Sequence, residues 1–269
     1  MQLKDGTQLA SAAAVLMTAA TTAAAADKPK VDPAALDKAF TALAKYDWGQ
    51  ERNVLDPINN AVVATADNAA ARKDLEIRLA AVLKTGAPRD AKDYVCRVLR
   101  VIGTAQSVPT LAALLPDNDL SHMSRYALED IPAAEAAQAL RDALPKVDGA
   151  LKVGVIGSLG ARRDAASTDA LVALLGDSDN AIACTAAQSL GAIGSPEAAK
   201  ALGEFAKKAP EAVKLAAANG LLACAERLLA AGKKAEALAA YKSLLGGNQP
   251  KQVRLAATRG LLLVAGKKE

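Results

Sequence analysis

The chain's single histidine and three cysteines, among 269 residues, leave little material for catalysis. His122 lies in Leu120-Ser121-His122-Met123-Ser124-Arg125-Tyr126, and one histidine cannot supply a transition-metal centre that needs several His and Glu ligands. A Ser or Cys nucleophile with His122 as its base is chemically allowed, but no signature of that chemistry surrounds it, so it reads as a helix-surface histidine. Val153-Gly154-Val155-Ile156-Gly157-Ser158-Leu159-Gly160 superficially suggests a dinucleotide-binding loop, yet no strand precedes it. These residues predict no catalytic group, no metal site and no cofactor.

The elements that carry them are read from composition and periodicity. Hydrophobic residues make up 52% of the chain and aromatics only 3%, with Ala the commonest type, a balance that suits close helix packing and not β-strands. The net charge of +4 is modest, and neither a dense basic stripe nor aromatic base platforms are visible, so no nucleic-acid partner is expected. Lys4 precedes an uncharged stretch from Gly6 to Ala26, in which Leu9 to Ala20 is the apolar part and Ala24-Ala25-Ala26 a small-residue cleavage site. Residues 1–26 are therefore expected to be a signal peptide and the protein periplasmic or secreted, the alternative being a disordered Ala/Thr tail in a cytoplasmic protein. No later run approaches the ~20 apolar residues of a membrane span.

The chain repeats itself. Leu114-Leu115-Pro116-Asp117-Asn118-Asp119 returns as Leu174-Leu175-Gly176-Asp177-Ser178-Asp179, and Val213 to Leu222 matches Val253 to Leu262 almost position for position. Aligning the longer helices gives a first apolar column at Leu99, Leu128, Ile156, Leu190, Leu221 and Leu261. A second follows at Ile102, Ile131, Leu159, Ile193, Cys224 and Val264, and in the first four copies Gly103, Pro132, Gly160 and Gly194 are read as helix-ending residues. Copies lie about 28 to 40 residues apart, the spacing of helix-pair repeats.

This pattern resembles the HEAT repeat. The second helix of that family reads Asp-x-x-Val-Arg-x-x-Ala-Ala-x-Ala-Leu-Gly-x-Ile-Gly, and Asp179 to Gly194 is the nearest copy. The family's recurrent basic residue survives as Lys92, Lys214 and Arg254 but is replaced by Ser121, Gly149 and Ala183, which removes its usual inter-repeat salt link in those three repeats. The resemblance implies an all-α fold, a right-handed alpha-alpha superhelix of the HEAT/armadillo type, with residues 27–67 as an irregular N-terminal helical pair and 68–269 as HEAT-like repeats. More loosely, residues 91–160 resemble repeat segments of large exported planctomycete and verrucomicrobial proteins.

The resemblance implies a non-enzymatic scaffold that contacts a protein partner or a second copy of itself. The other classes are a solenoid enzyme or accessory, similar to bilin lyases or alkyl-base glycosylases, or the helical module of a larger carbohydrate-related enzyme. In HEAT folds the residues six and two before the first core column, and one after it, tend to line the concave surface. Here they give Asp93, Arg97 and Arg100, then His122, Tyr126 and Glu129, a floor of Ala150, Gly154 and Gly157, and Cys184, Gln188 and Gly191. A binding face and an ordinary solvated helix side both fit. Toward the C-terminus the same positions become Leu215 and Leu222, then Leu255 and Leu262, a candidate interface covered by a subunit, a partner or further repeats.

The register also separates the cysteines. Cys184 aligns with Leu215, which leaves Cys224 nine residues, or ~13 Å, further along its helix and beyond disulfide reach. Cys96 lies two or more repeats from both, so three free thiols are expected.

Overall fold

A computed structural model describes residues 30–246 and 249–266. The expected signal peptide, residues 1–26, lies outside the described residues. Several helices begin where the chain supplies a cap or a pre-set φ. Asp32 accepts from the Ala34 N–H at 3.0 Å ahead of α1 (Pro33–Leu43), whose first residue is proline. A 3-10 turn at Arg52–Leu55 leads into α2 (Asp56–Ala64), and Asn68 caps α3 (Ala69–Val82) by accepting from the Ala71 N–H.

Helix pairs then alternate without interruption. They are α3 with α4 (Arg89–Ile102), α5 (Val108–Ala112) with α6 (Ser121–Asp130), α7 (Ala134–Ala143) with α8 (Gly149–Ala161), α9 (Thr168–Ala173) with α10 (Asn180–Ile193), α11 (Pro196–Ala206) with α12 (Glu211–Ala230), and α13 (Lys234–Leu245) with α14 (Lys251–Val264). The second helices stack in one layer, α4 on α6 and onward to α14, while α5, α7, α9, α11 and α13 form the other. This is an all-α solenoid, as the repeat pattern predicts.

The first-layer helices α5 and α9 are shorter than their apolar runs suggest. Chain direction changes before Pro116 and Gly176, and the final leucines of the second case sit in a 3-10 turn, Leu174–Gly176. At α6 the sequence acts as expected: Pro132 forces Ile131 into an extended conformation and ends the helix. Gly194 likewise ends α10 in the left-handed region, at φ 70°. Gly160 does not end its helix. It lies inside α8, where a Cβ would come within 2.8 Å of the Ser189 backbone, and the left-handed turn falls instead on Arg163 at φ 54°.

The core runs continuously along the interface of the two layers. Leu99, Leu128, Ile156, Leu190 and Leu221 are all buried, and Leu261 is partly covered. Burial of side chains of this size contributes roughly 1.5–3 kcal/mol each, so the column is the main stabilising element of the stack. Polar clamps bind neighbouring repeats where the chain turns. Buried Glu76 on α3 accepts from the Thr104 N–H at 2.7 Å and from the hydroxyls of Thr104 and Ser107. The Arg162 guanidinium donates to the carbonyls of Glu129, Ile131 and Ala133, meeting the open end of α6 as a C-terminal cap.

Candidate functional site

The predicted face divides into three parts once the helices are stacked. On α4, α6 and α10 the position one after the first core column points to the next second helix, whereas Gly157, its counterpart on α8, meets nothing. Arg100 pairs with Asp130 and the Tyr126 hydroxyl of α6, its guanidinium 4.1 Å from the Tyr126 ring centroid. Glu129 accepts from the Ser158 hydroxyl of α8 at 2.6 Å. Gly191 meets Gly220 of α12 so closely that a Cβ on it would fall 2.8 Å from the Gly220 Cα. These residues form the seam between repeats. Arg100 and Tyr126 are thereby committed to each other and Glu129 to α8, a reason the expected polar wall is not freely available.

The expected floor of small residues is only partly open. The Arg125 guanidinium lies over Gly154, where a Cβ would come within 2.4 Å of it, and donates to the Gly154 carbonyl at 3.1 Å and the Ser158 hydroxyl at 3.3 Å. Gly154 makes room for that side chain. Gly157 has nothing within 4 Å of a built Cβ, and His122 and Gln188 stand exposed.

Asp93 and Arg97 belong to a different feature. They project from α4 into a cavity of about 620 Å³ at the joint between the N-terminal helices and the repeats. Asp90, Asp93, Tyr94 and Arg97 form the α4 wall. The opposite wall comes from the α1–α2 connection and the start of α2, with Tyr46, Trp48, Arg52, Leu55 and Asn59. The Tyr94 hydroxyl donates to Asn59 Oδ1 at 2.9 Å and ties the two walls together. On the α1 side, Arg78 of α3 pairs with Asp37 at 2.7 Å and covers the Phe40 ring at 4.1 Å. Asp93 Oδ1 is buried with no hydrogen-bond partner. Burial holds the Asp93 carboxyl above its usual range, against the lowering pull of Arg89 and Arg97. Trp48 is 90% exposed at the mouth. The repeat register finds Asp93 and Arg97 but not the facing wall, which lies outside the repeats. The one available signal is that Trp48 is the chain's sole tryptophan.

At the other end the leucines separate. Leu215 is 54%, Leu255 59% and Leu262 41% exposed, while Leu222 is half-buried against the core. Leu222 is therefore not an open member of the predicted interface. A cavity of about 400 Å³ is lined by Leu229 of α12, Tyr241 of α13, and Gly260 and Leu263 of α14, and by none of Leu215, Leu222, Leu255 and Leu262.

The cysteines are free, and burial pushes the thiols of both Cys96 and Cys224 up to about 12, which makes them poor nucleophiles at neutral pH. Among the described residues no three His, Cys, Asp or Glu side chains gather as metal ligands, and no helix is long and apolar enough to cross a membrane.

Residues 144–223, from the end of the α7 turn into α12, match the family described as HEAT repeats. That stretch, which is similar to HEAT repeats, lies within the longer run of alternating helix pairs. Two crystal structures of engineered proteins, both Northeast Structural Genomics Consortium targets, are similar to this chain. One is 20% identical with a TM-score of 0.37, covering 78% of this chain and 96% of its own. The other is 18% identical with a TM-score of 0.41, covering 86% and 68% respectively. No curated protein matches the chain.

Proposed function

We propose that the protein is a non-enzymatic scaffold that binds protein, and that the exposed leucine face of α14 docks a second copy of the chain. The observation that carries this reading is the register of the seam. Arg100, Glu129 and Gly191 each point to the following second helix, and Leu262 holds the same position on α14 while remaining exposed. Leu255 lies seven residues earlier on the same side. Leu262 thus holds a seam position, while Leu255 holds the position that Leu215 leaves exposed on α12. In an isologous two-fold contact the Leu255 and Leu262 face of one molecule meets the same face of the other, so each leucine is covered by an apolar partner.

Burial of Leu255 and Leu262 contributes roughly 1.5–3 kcal/mol for each side chain. Sedimentation equilibrium is expected to show a dimer, and Leu255→Glu with Leu262→Glu a monomer of unchanged helical content by circular dichroism. A wild-type monomer at high concentration, or a double variant that unfolds, defeats the docking reading.

The same proposal includes export, with residues 1–26 removed as a signal peptide; the looser likeness to exported planctomycete and verrucomicrobial repeat segments belongs to it. Its support is the small-residue site at Ala24-Ala25-Ala26 followed by renewed charge at Asp27 and Lys28. Intact mass of the protein from its native host is expected to correspond to a chain starting near Asp27, and retention of Met1 to Ala26 overturns it.

A further inference from the structure

The cavity at the N-terminal joint leaves three kinds of group unmet on its walls. Asp93 lines the cavity beside Asp90, and its buried Oδ1 has no hydrogen-bond donor. The guanidiniums of Arg52 and Arg97 make no hydrogen bond or ion pair among the described residues, and both side chains are exposed. The Trp48 ring stands almost wholly in solvent, held at its backbone by the Asp47 carboxylate, which accepts from the Trp48 N–H at 2.9 Å. Tryptophan and arginine are the side chains that most often dominate binding energy.

Charge narrows the ligand. Two cationic side chains, Arg52 and Arg97, line the cavity with two acidic ones, Asp90 and Asp93. A simple anion satisfies the arginines but faces the carboxylates. A simple cation does the reverse. A neutral polyol supplies donors to Asp93 but leaves both guanidiniums without an anion. A molecule with a carboxylate at one end, an ammonium at the other and an apolar body between them meets all of these groups together. The volume of about 620 Å³ lies within the ordinary range for small-ligand pockets, and the Tyr94 to Asn59 hydrogen bond across the walls means the site is formed before a ligand arrives.

We propose that this cavity binds a zwitterion of the amino-acid or short-peptide class. Arg52 and Arg97 take its carboxylate, Asp93 with Asp90 takes its ammonium, and Trp48 and Leu55 cover its apolar side chain. Arginine suits the first role because its planar fork matches a carboxylate, and the Asp90 and Asp93 carboxylates on the α4 wall supply the counter-charge for the ammonium. The site is at the opposite end of the stack from the α14 leucines, so it stands or falls independently of the docking surface.

Trp48 is the only tryptophan, so intrinsic fluorescence reports on this cavity directly. The full chain is titrated with a panel of free amino acids and of dipeptides with free termini, and with the N-acetylated and C-amidated forms of the same dipeptides, with isothermal calorimetry as a second readout. Saturable binding of a free-ended member is expected, weakened at least about tenfold by blocking either end, the scale of one lost charged hydrogen bond. Asp93→Asn is expected to erase the preference for a free amine while keeping that for a free carboxylate, and Arg97→Gln to do the converse. Circular dichroism and thermal unfolding establish that both variants fold. Equal binding of free and doubly blocked dipeptides overturns the proposal, as does preferential binding of inorganic phosphate or a neutral disaccharide. No saturable response to any free-ended member up to about 10 mM, weaker than the usual range for specific ligands, also overturns it.

Discussion

The middle of the stack and its N-terminal joint solve the same packing problem in opposite ways. From α8 to α12 the second helices meet through glycine and serine. Gly160 faces Ser189, whose hydroxyl donates to the Ile156 carbonyl at 2.9 Å, and Gly191 faces Gly220. The backbones come so close that a Cβ on Gly191 or Gly220 would strike the facing helix. At the joint, α4 meets the N-terminal helices through Tyr46, Tyr94, Arg52 and Arg97, and the large side chains hold the walls about a 620 Å³ cavity apart. Small residues make a rigid spine, while large amphipathic ones leave a site.

The sharpest way to break this contrast is at Gly220. A Cβ there would fall 2.3 Å from the Ala187 carbonyl oxygen, a backbone atom that cannot swing away. Gly220→Val should cost about 3 kcal/mol or more in urea unfolding, at the upper end of overpacking penalties. Gly157→Ala in the same spine is the control: nothing lies within 4 Å, so the exchange should be neutral or stabilise by up to about 1 kcal/mol through helix propensity. Similar losses at both positions would show that close backbone approach is not what holds the spine.

The smallest expected effect tests the joint. The folded Asp93 carboxyl titrates above its ordinary 3.8 because burial penalises the charged form. A raised acid pKa means the folded state binds protons more tightly than the unfolded one. Its contribution is therefore full below the unfolded pKa and is lost as pH rises through the folded value. Asp93→Asn should leave stability unchanged near pH 3 and raise it near pH 7 by no more than about 1 kcal/mol, since the group is partly solvated. Thermal unfolding at the two pH values checks this, and a pH-independent difference would remove the unmet charge from the description of the site.

How much of this was legible beforehand follows from the range of each interaction. The helix pairs, the apolar columns from Leu99 to Leu221, and the caps at Pro132 and Gly194 are written locally, because a helix repeats every three to four residues and ends on a residue's own φ and ψ. The exposure of Leu255 and Leu262 followed from the same period, since both lie off the face that buries Val253 and Ala257. What each remaining face meets was not written there. Gly160 reads as a helix end in isolation but is a contact for Ser189, Gly154 reads as floor but carries Arg125, and Leu222 reads as exposed but is half covered. Trp48 and Arg97 share a cavity although many residues of chain separate them. Period and capping determine where a helix lies and which side is apolar; only the stacking of one helix on the next decides which polar side chains pair across the seam and which are left for a ligand.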